Sequence, residues 1–156
     1  AFDGQTAWRL SPMQGITTPL AVSGPEAEVV KEQSDFDGPL VDYKLKGYTI
    51  ELVGTEAVGD KRAFHLKITS KDKKVQHCYV DVATSLEMKT VVESPMGPLE
   101  QELSDYRDVE GVKLPFLMRT LAGGVEQARI QIDTVELNAK FDDVIFRIPR
   151  GPVSIY

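Results

Sequence analysis

The chain is poor in cysteine, with Cys78 alone among 156 residues. That excludes an intrachain disulfide and any zinc site built from several cysteines. Cys78 alternates with Val80 and Val82, so it reads as a buried structural thiol; a nucleophile needs an electropositive, partly exposed setting. Positive charge is also short, 18 Lys and Arg against 24 Asp and Glu, for a net charge of −6. A nucleic-acid partner is disfavoured, because binders of the phosphate backbone concentrate a basic excess on one face. The only basic cluster, Lys71, Lys73 and Lys74, reads as a solvated turn between two strands. No apolar run approaches the roughly 18 residues of a membrane-crossing helix, and the first residues have no signal-peptide pattern. With 42% hydrophobic and 27% charged residues, the composition is that of a globular, non-transmembrane chain, and residues 1–156 fit a single domain.

Catalytic signatures are missing as well. There is no G-x-S-x-G elbow, no glycine-rich phosphate loop and no H-E-x-x-H helix. The two histidines, His65 and His77, fall on one polar face of a hairpin and could take a metal together with Asp81, but two solvent-facing strand residues is the simpler reading. Asp105, Asp108, Asp142 and Asp143 sit at turn-like positions, where aspartates bond local backbone amides. Neither a catalytic residue, a metal nor a cofactor is expected. Trp8, the one tryptophan, is either a large core residue or a ligand-contacting aromatic.

What the chain does have is strands and turns. After an Asp3-Gly4 turn and a strand-like TAWRL comes a loop from Ser11 to Pro19. The one helix is expected in GPEAEVVKEQSDFDG, with Pro25 in its first turn, Glu26 and Glu28 at the positive end of its dipole, and a stop at Asp37-Gly38. Leu40 to Lys46 fits either a strand or a continuation of that helix. Alternation then marks strands around Ile50 and Leu52, around Phe64, Leu66 and Ile68, and from Val75 to Val82, whose buried side takes Cys78, Val80 and Val82. Further strands run from Glu87 to Glu93, from Leu99 to Tyr106 and over Val112, Leu114, Phe116 and Met118. Pro115 inside the last of these calls for an interrupted ladder or an edge. A long run from Val125 to Leu137 changes parity near Asp133, which predicts a bulge there. The sum is an antiparallel meander: closed barrel, half-barrel or sandwich, with one apolar sheet face.

Three stretches narrow this. FDGQTAW at Phe2 to Trp8, DYRDVEGVKLP at Asp105 to Pro115 and FDDVIFRIP at Phe141 to Pro149, with a hairpin at Tyr79 to Thr84, resemble the outer-membrane lipoprotein-sorting (LolA/LolB-like) superfamily. The resemblance covers what would be the C-terminal two-thirds of the domain, so an N-terminally truncated half-barrel is expected. It implies a mainly β, curved antiparallel half-barrel with one short helix packed on the sheet, and a concave apolar face that shelters lipid or lipoprotein acyl chains. Its address would be the bacterial periplasm or outer membrane, the targeting segment being absent from this chain. The groove residues would be Trp8, Phe64, Leu66, Leu114, Phe116 and Met118. An envelope interaction or sensor module on the same fold is the alternative, with a protein or a second copy pairing along an unpaired edge. An enzyme ranks third.

Overall fold

The computed structural model describes residues 1–11, 15–93 and 97–149. Two compact units emerge, Ala1–Val41 with the chain from Ala139 onward, and Asp42–Asn138.

The first unit holds a two-stranded antiparallel sheet, β1 (Trp8–Ser11) and β2 (Ile16–Ala21), helix α1 (Pro25–Gln33) and a 3-10 turn at Asp143–Phe146. Asp3 makes the predicted turn, its Oδ1 accepting from the amides of Gln5 at 2.9 Å and Thr6 at 2.6 Å. Asp142 does the same for the 3-10 turn, accepting from the Val144 amide at 2.9 Å. α1 begins at Pro25 with Glu26 and Glu28 in its first turn, as its sequence predicts, but ends at Gln33. Ser34 stops it, donating its hydroxyl to the Lys31 carbonyl at 2.7 Å, so the helix closes a few residues before Asp37-Gly38. Ala27 is its one buried residue.

Two readings of this region are corrected. Ile16–Ala21, which takes up the second half of the expected Ser11–Pro19 loop and the two residues beyond it, is a strand, because it finds a partner in β1 through Trp8–Ala21 and Arg9–Leu20. Pro12, Met13 and Gln14 lie outside the described residues. Leu40 to Lys46 is neither strand nor helix but a series of turns, with Asp42 at φ 52° and Gly38 at φ 64° breaking both patterns.

The second unit is one seven-stranded antiparallel sheet in sequence order: β3 (Thr49–Val58), β4 (Lys61–Thr69), β5 (Val75–Asp81), β6 (Glu87–Val92), β7 (Leu99–Val109), β8 (Val112–Ala122) and β9 (Val125–Gln131). β3 and β9 are its edges, so the sheet is open. Register shifts at Leu52/Gly54, Tyr79/Val80 and Thr120/Leu121 add bulges, which bend strands and sharpen twist. The β7–β8 hairpin is closed by Glu110 and Gly111 at φ 50° and 88°, the two positive values a tight twisted hairpin demands.

Pro115 finds its place in this ladder. β7 and β8 pair on a constant register, but the ladder skips Asp105 and Phe116, where Asp105 takes a left-handed φ of 52°, and resumes at Tyr106–Pro115. β9 pairs with β8 only from Leu117 onward, two residues beyond the proline. The β9 run is shorter than its alternation suggests. It ends at Gln131, and its bulge is the extra residue Gln127, opposite the Thr120/Leu121 step of β8. The parity switch near Asp133 thus marks the end of the strand.

Candidate functional site

Cross-strand partners share a face of a sheet, so the register sorts the side chains of the second unit. One face carries Leu52, Phe64, Leu66, Ile68, Cys78, Val80, Val92 and Leu99, continuing through Leu103, Leu114, Phe116, Met118 and Ile130. The opposite face carries the charged side chains, with Val91, Leu117 and Leu121 half-buried among them. Glu51 meets Lys67 at 3.4 Å and Glu56 meets His65 at 2.6 Å. His65 Nε2 lies 2.7 Å from His77 Nδ1, and Tyr79 stacks on His65 with Lys89 over its ring. Lys89 pairs with Glu100 at 3.2 Å, and Arg119 bridges Glu102 at 3.0 Å and Glu126 at 2.6 Å.

The more exposed of these pairs, such as Glu51–Lys67, contribute little to stability. They make one face indifferent to water, so the apolar face is where burial is to be gained.

That face is unevenly filled. Ile68, Cys78 and Phe116 are buried, at 5% exposure or less, and form its fixed core. Burial pushes the Cys78 thiol up to about 12, with the Glu87 charge adding to the effect, which fits the structural role read from its alternation. Leu66, Leu103, Leu114 and Met118 are only half-buried. Phe64, Leu52, Val92, Leu99 and Ile130 are exposed. Val82, expected on the buried side, lies past the end of β5 and is exposed.

Five of the six candidate groove residues thus fall on one face: Phe64 and Leu66 on β4, Leu114, Phe116 and Met118 on β8. β4 and β8 stand four strands apart, about 19 Å along the sheet at the usual strand spacing, on opposite arms of the half-barrel. Phe116 is the most buried of the five and packs under the Arg107 guanidinium, 4.4 Å from its ring centre. Trp8 belongs to the first unit, where it is buried and its indole N–H donates to the Phe146 carbonyl at 2.7 Å.

The histidine pair does come together on the polar face, as the alternation predicts, but Asp81 is occupied. It accepts from the Ala83 amide at 2.9 Å, from the Thr84 hydroxyl at 3.0 Å and from Lys61 at 3.1 Å. Those bonds, the Ala83 amide first, hold its carboxyl below the usual range. Among the described residues no group of three or more His, Cys, Asp and Glu side chains is placed to hold a metal ion. Asp105 and Asp108 have the local roles expected of turn aspartates: Asp105 pairs with Arg107 at 2.6 Å, and Asp108 accepts from the Gly111 amide at 2.9 Å.

A cavity of about 520 Å³ opens at the β5–β6 turn end of the sheet. Its wall includes Asp60, Lys61, Glu87, Met88, Leu103 and Tyr106. Glu87 pairs with Val80 across a bulge and so sits on the apolar face; burial raises its carboxyl above the ordinary 4.5. Nothing in the sequence around Glu87 signals its place, because the bulge that turns it inward has no local signature.

The open, bulged seven-stranded sheet defines the class: a mainly β chain whose antiparallel sheet does not close into a barrel, as the expected half-barrel requires. The chain is similar to the crystal structure of a DUF1329 family protein from Desulfovibrio piger, with 16% identity and a TM-score of 0.56, covering 94% of this chain and 65% of that one. It is also similar to a LolA superfamily protein from Nitrosomonas europaea, with 15% identity and a TM-score of 0.49, over 92% of this chain and 67% of that one. The chain therefore spans about two-thirds of the length of each. No family model matches it, nor does any curated protein. No helix among the described residues is long and apolar enough to cross a membrane.

Proposed function

We propose that the chain is a non-enzymatic binding protein of the bacterial envelope that shelters acyl chains of a lipid or lipoprotein against the apolar face of its half-barrel. The observation that carries this reading is the asymmetry of the sheet. One face is an ion-pair ladder, and the other leaves Leu66, Leu103, Leu114 and Met118 half-buried and Phe64 exposed around a small fixed core. An acyl chain laid on such a face contributes about 0.8 kcal/mol per buried methylene, so binding needs no catalytic group. The periplasmic or outer-membrane address, and the acyl cargo itself, are supported by the resemblance carried by Phe2–Trp8, Asp105–Pro115 and Phe141–Pro149.

The test is native mass spectrometry of the protein purified from its own envelope, followed by extraction and lipid analysis. A stoichiometric acylated species, lost in a folded Leu66→Glu variant, supports the reading; a protein that is empty and refuses offered lipids contradicts it. A second reading, an interaction module without cargo, is favoured by one observation. All seven residues of edge strand β9 are exposed, leaving a free ladder to which another envelope protein or a second copy could add a strand.

A further inference from the structure

Of the four carboxylates lining the 520 Å³ cavity, two are already matched, as are both of its lysines. Lys61 is held by Asp81 at 3.1 Å, Lys113 by Asp108 at 3.1 Å, and Asp105 by Arg107 at 2.6 Å. Two acids, Asp60 and Glu87, have no ion pair or side-chain hydrogen bond among the described residues. Glu87 is the unusual one. It is half-buried, it stands on the apolar face opposite Val80, and its backbone carbonyl accepts from the Tyr106 hydroxyl at 2.7 Å. Its charge is felt by Cys78 in the core of that face. A carboxylate at the end of an apolar surface, without a counter-ion, is costly unless something arrives to match it.

Resting on the lipid-binding reading above, we propose that the cavity receives the ammonium headgroup of an amphiphile, with Glu87 as its counter-ion and the apolar tail running past Val80, Leu103 and Met118. The volume lies within the range of small-ligand pockets, and Leu86, Met88 and Leu103 are the apolar part of its lining, along which the tail would leave. An anionic headgroup fits poorly: both lysines of the cavity are occupied, and the two unmatched groups are acids. The row Phe64–Val80–Glu87 is continuous across β4, β5 and β6, and Leu103–Met118–Ile130 across β7, β8 and β9. Glu87 is the one charge in those two rows, which makes it the feature able to orient a ligand that the apolar face alone would bind in any direction.

Calorimetric binding of decylammonium, decanol and decanoate to the whole chain at neutral pH, each below its micellar concentration, tests this. The expected order is decylammonium at least tenfold tighter than decanol, with decanoate weakest. E87Q should erase that order. The wild-type comparison needs no variant, so a poorly folding E87Q protein does not protect the proposal. Equal affinities for the three headgroups, a preference for decanoate, or a preference that survives E87Q would overturn the ammonium assignment and leave the acyl-binding reading standing. No binding of any of the three would overturn that reading and this inference together.

Discussion

Tyr106 donates its phenolic hydrogen to the backbone carbonyl of Glu87 at 2.7 Å, fastening β7 to the first residue of β6 at the wall of the cavity. Burial first, and then the charge of Glu87, pushes the phenol up to about 12, so the hydroxyl remains a donor throughout the physiological range. Tyr106→Phe removes the bond with little change of shape and should cost about 0.5–1.5 kcal/mol of stability. Urea denaturation followed by circular dichroism reads the difference, and an unchanged midpoint would mean that the bond contributes nothing net.

Glu87 gives a pH signature of its own. Burial raises its folded-state value above the ordinary 4.5, so its contribution to stability is fully present below that pH and is lost as pH rises through the folded value. E87Q cannot ionise. The melting temperature of the variant relative to wild type should therefore be constant below about pH 4 and climb towards neutral pH. The carboxylates held low by their partners, Asp81, Asp105, Asp108 and Glu126, act in the opposite direction, but they are common to both proteins and cancel in the difference. A difference that falls with rising pH would show Glu87 to be well matched when charged.

The apolar face should divide into structural and replaceable positions. Ile68 and Phe116 are buried, and truncation to alanine should cost roughly 2–5 kcal/mol at either. Leu66 and Met118 are half-buried, so their alanine variants should lose about half as much or less and remain folded. These two, and not Phe116, are the positions at which a charge can probe the groove without unfolding the sheet. Thermal melts of the four variants settle the ranking.

Cys78 should be silent in the native protein. Its thiol is buried and driven to about 12, so almost no thiolate exists at pH 8. A colorimetric thiol reagent should react at the unfolding rate in water and at once in strong denaturant. Fast native labelling would place Cys78 outside the core.

Much of the sheet can be read in the sequence because strands buried on one face alternate strictly. Phe64, Leu66 and Ile68 against His65 and Lys67 fixed β4 and its facing, and the Glu110-Gly111 turn fixed the β7–β8 hairpin. What could not be read depends on partners distant in the chain or on single extra residues. Ile16–Ala21 looks like a loop until β1 is laid beside it. The inward turn of Glu87 follows from one bulge at Tyr79/Val80, and the end of β9 at Gln131 from where β8 stops offering a ladder. The histidine contact was legible because His65 and His77 lie on the same parity of adjacent strands, whereas the capture of Asp81 by Lys61 and the Ala83–Thr84 turn required the folded hairpins on either side.

An acyl chain should meet the apolar face of the sheet and not the face that carries the ion pairs. Photo-crosslinking the whole chain with a diazirine-bearing fatty acid, followed by peptide mapping, tests this directly. Labels on the peptides of β4, β7 and β8, centred on Leu66, Leu103 and Met118 and displaced by unlabelled lipid, are the predicted result. Labels confined to the polar face around His77 and Glu100, or no displaceable labelling at all, would contradict it.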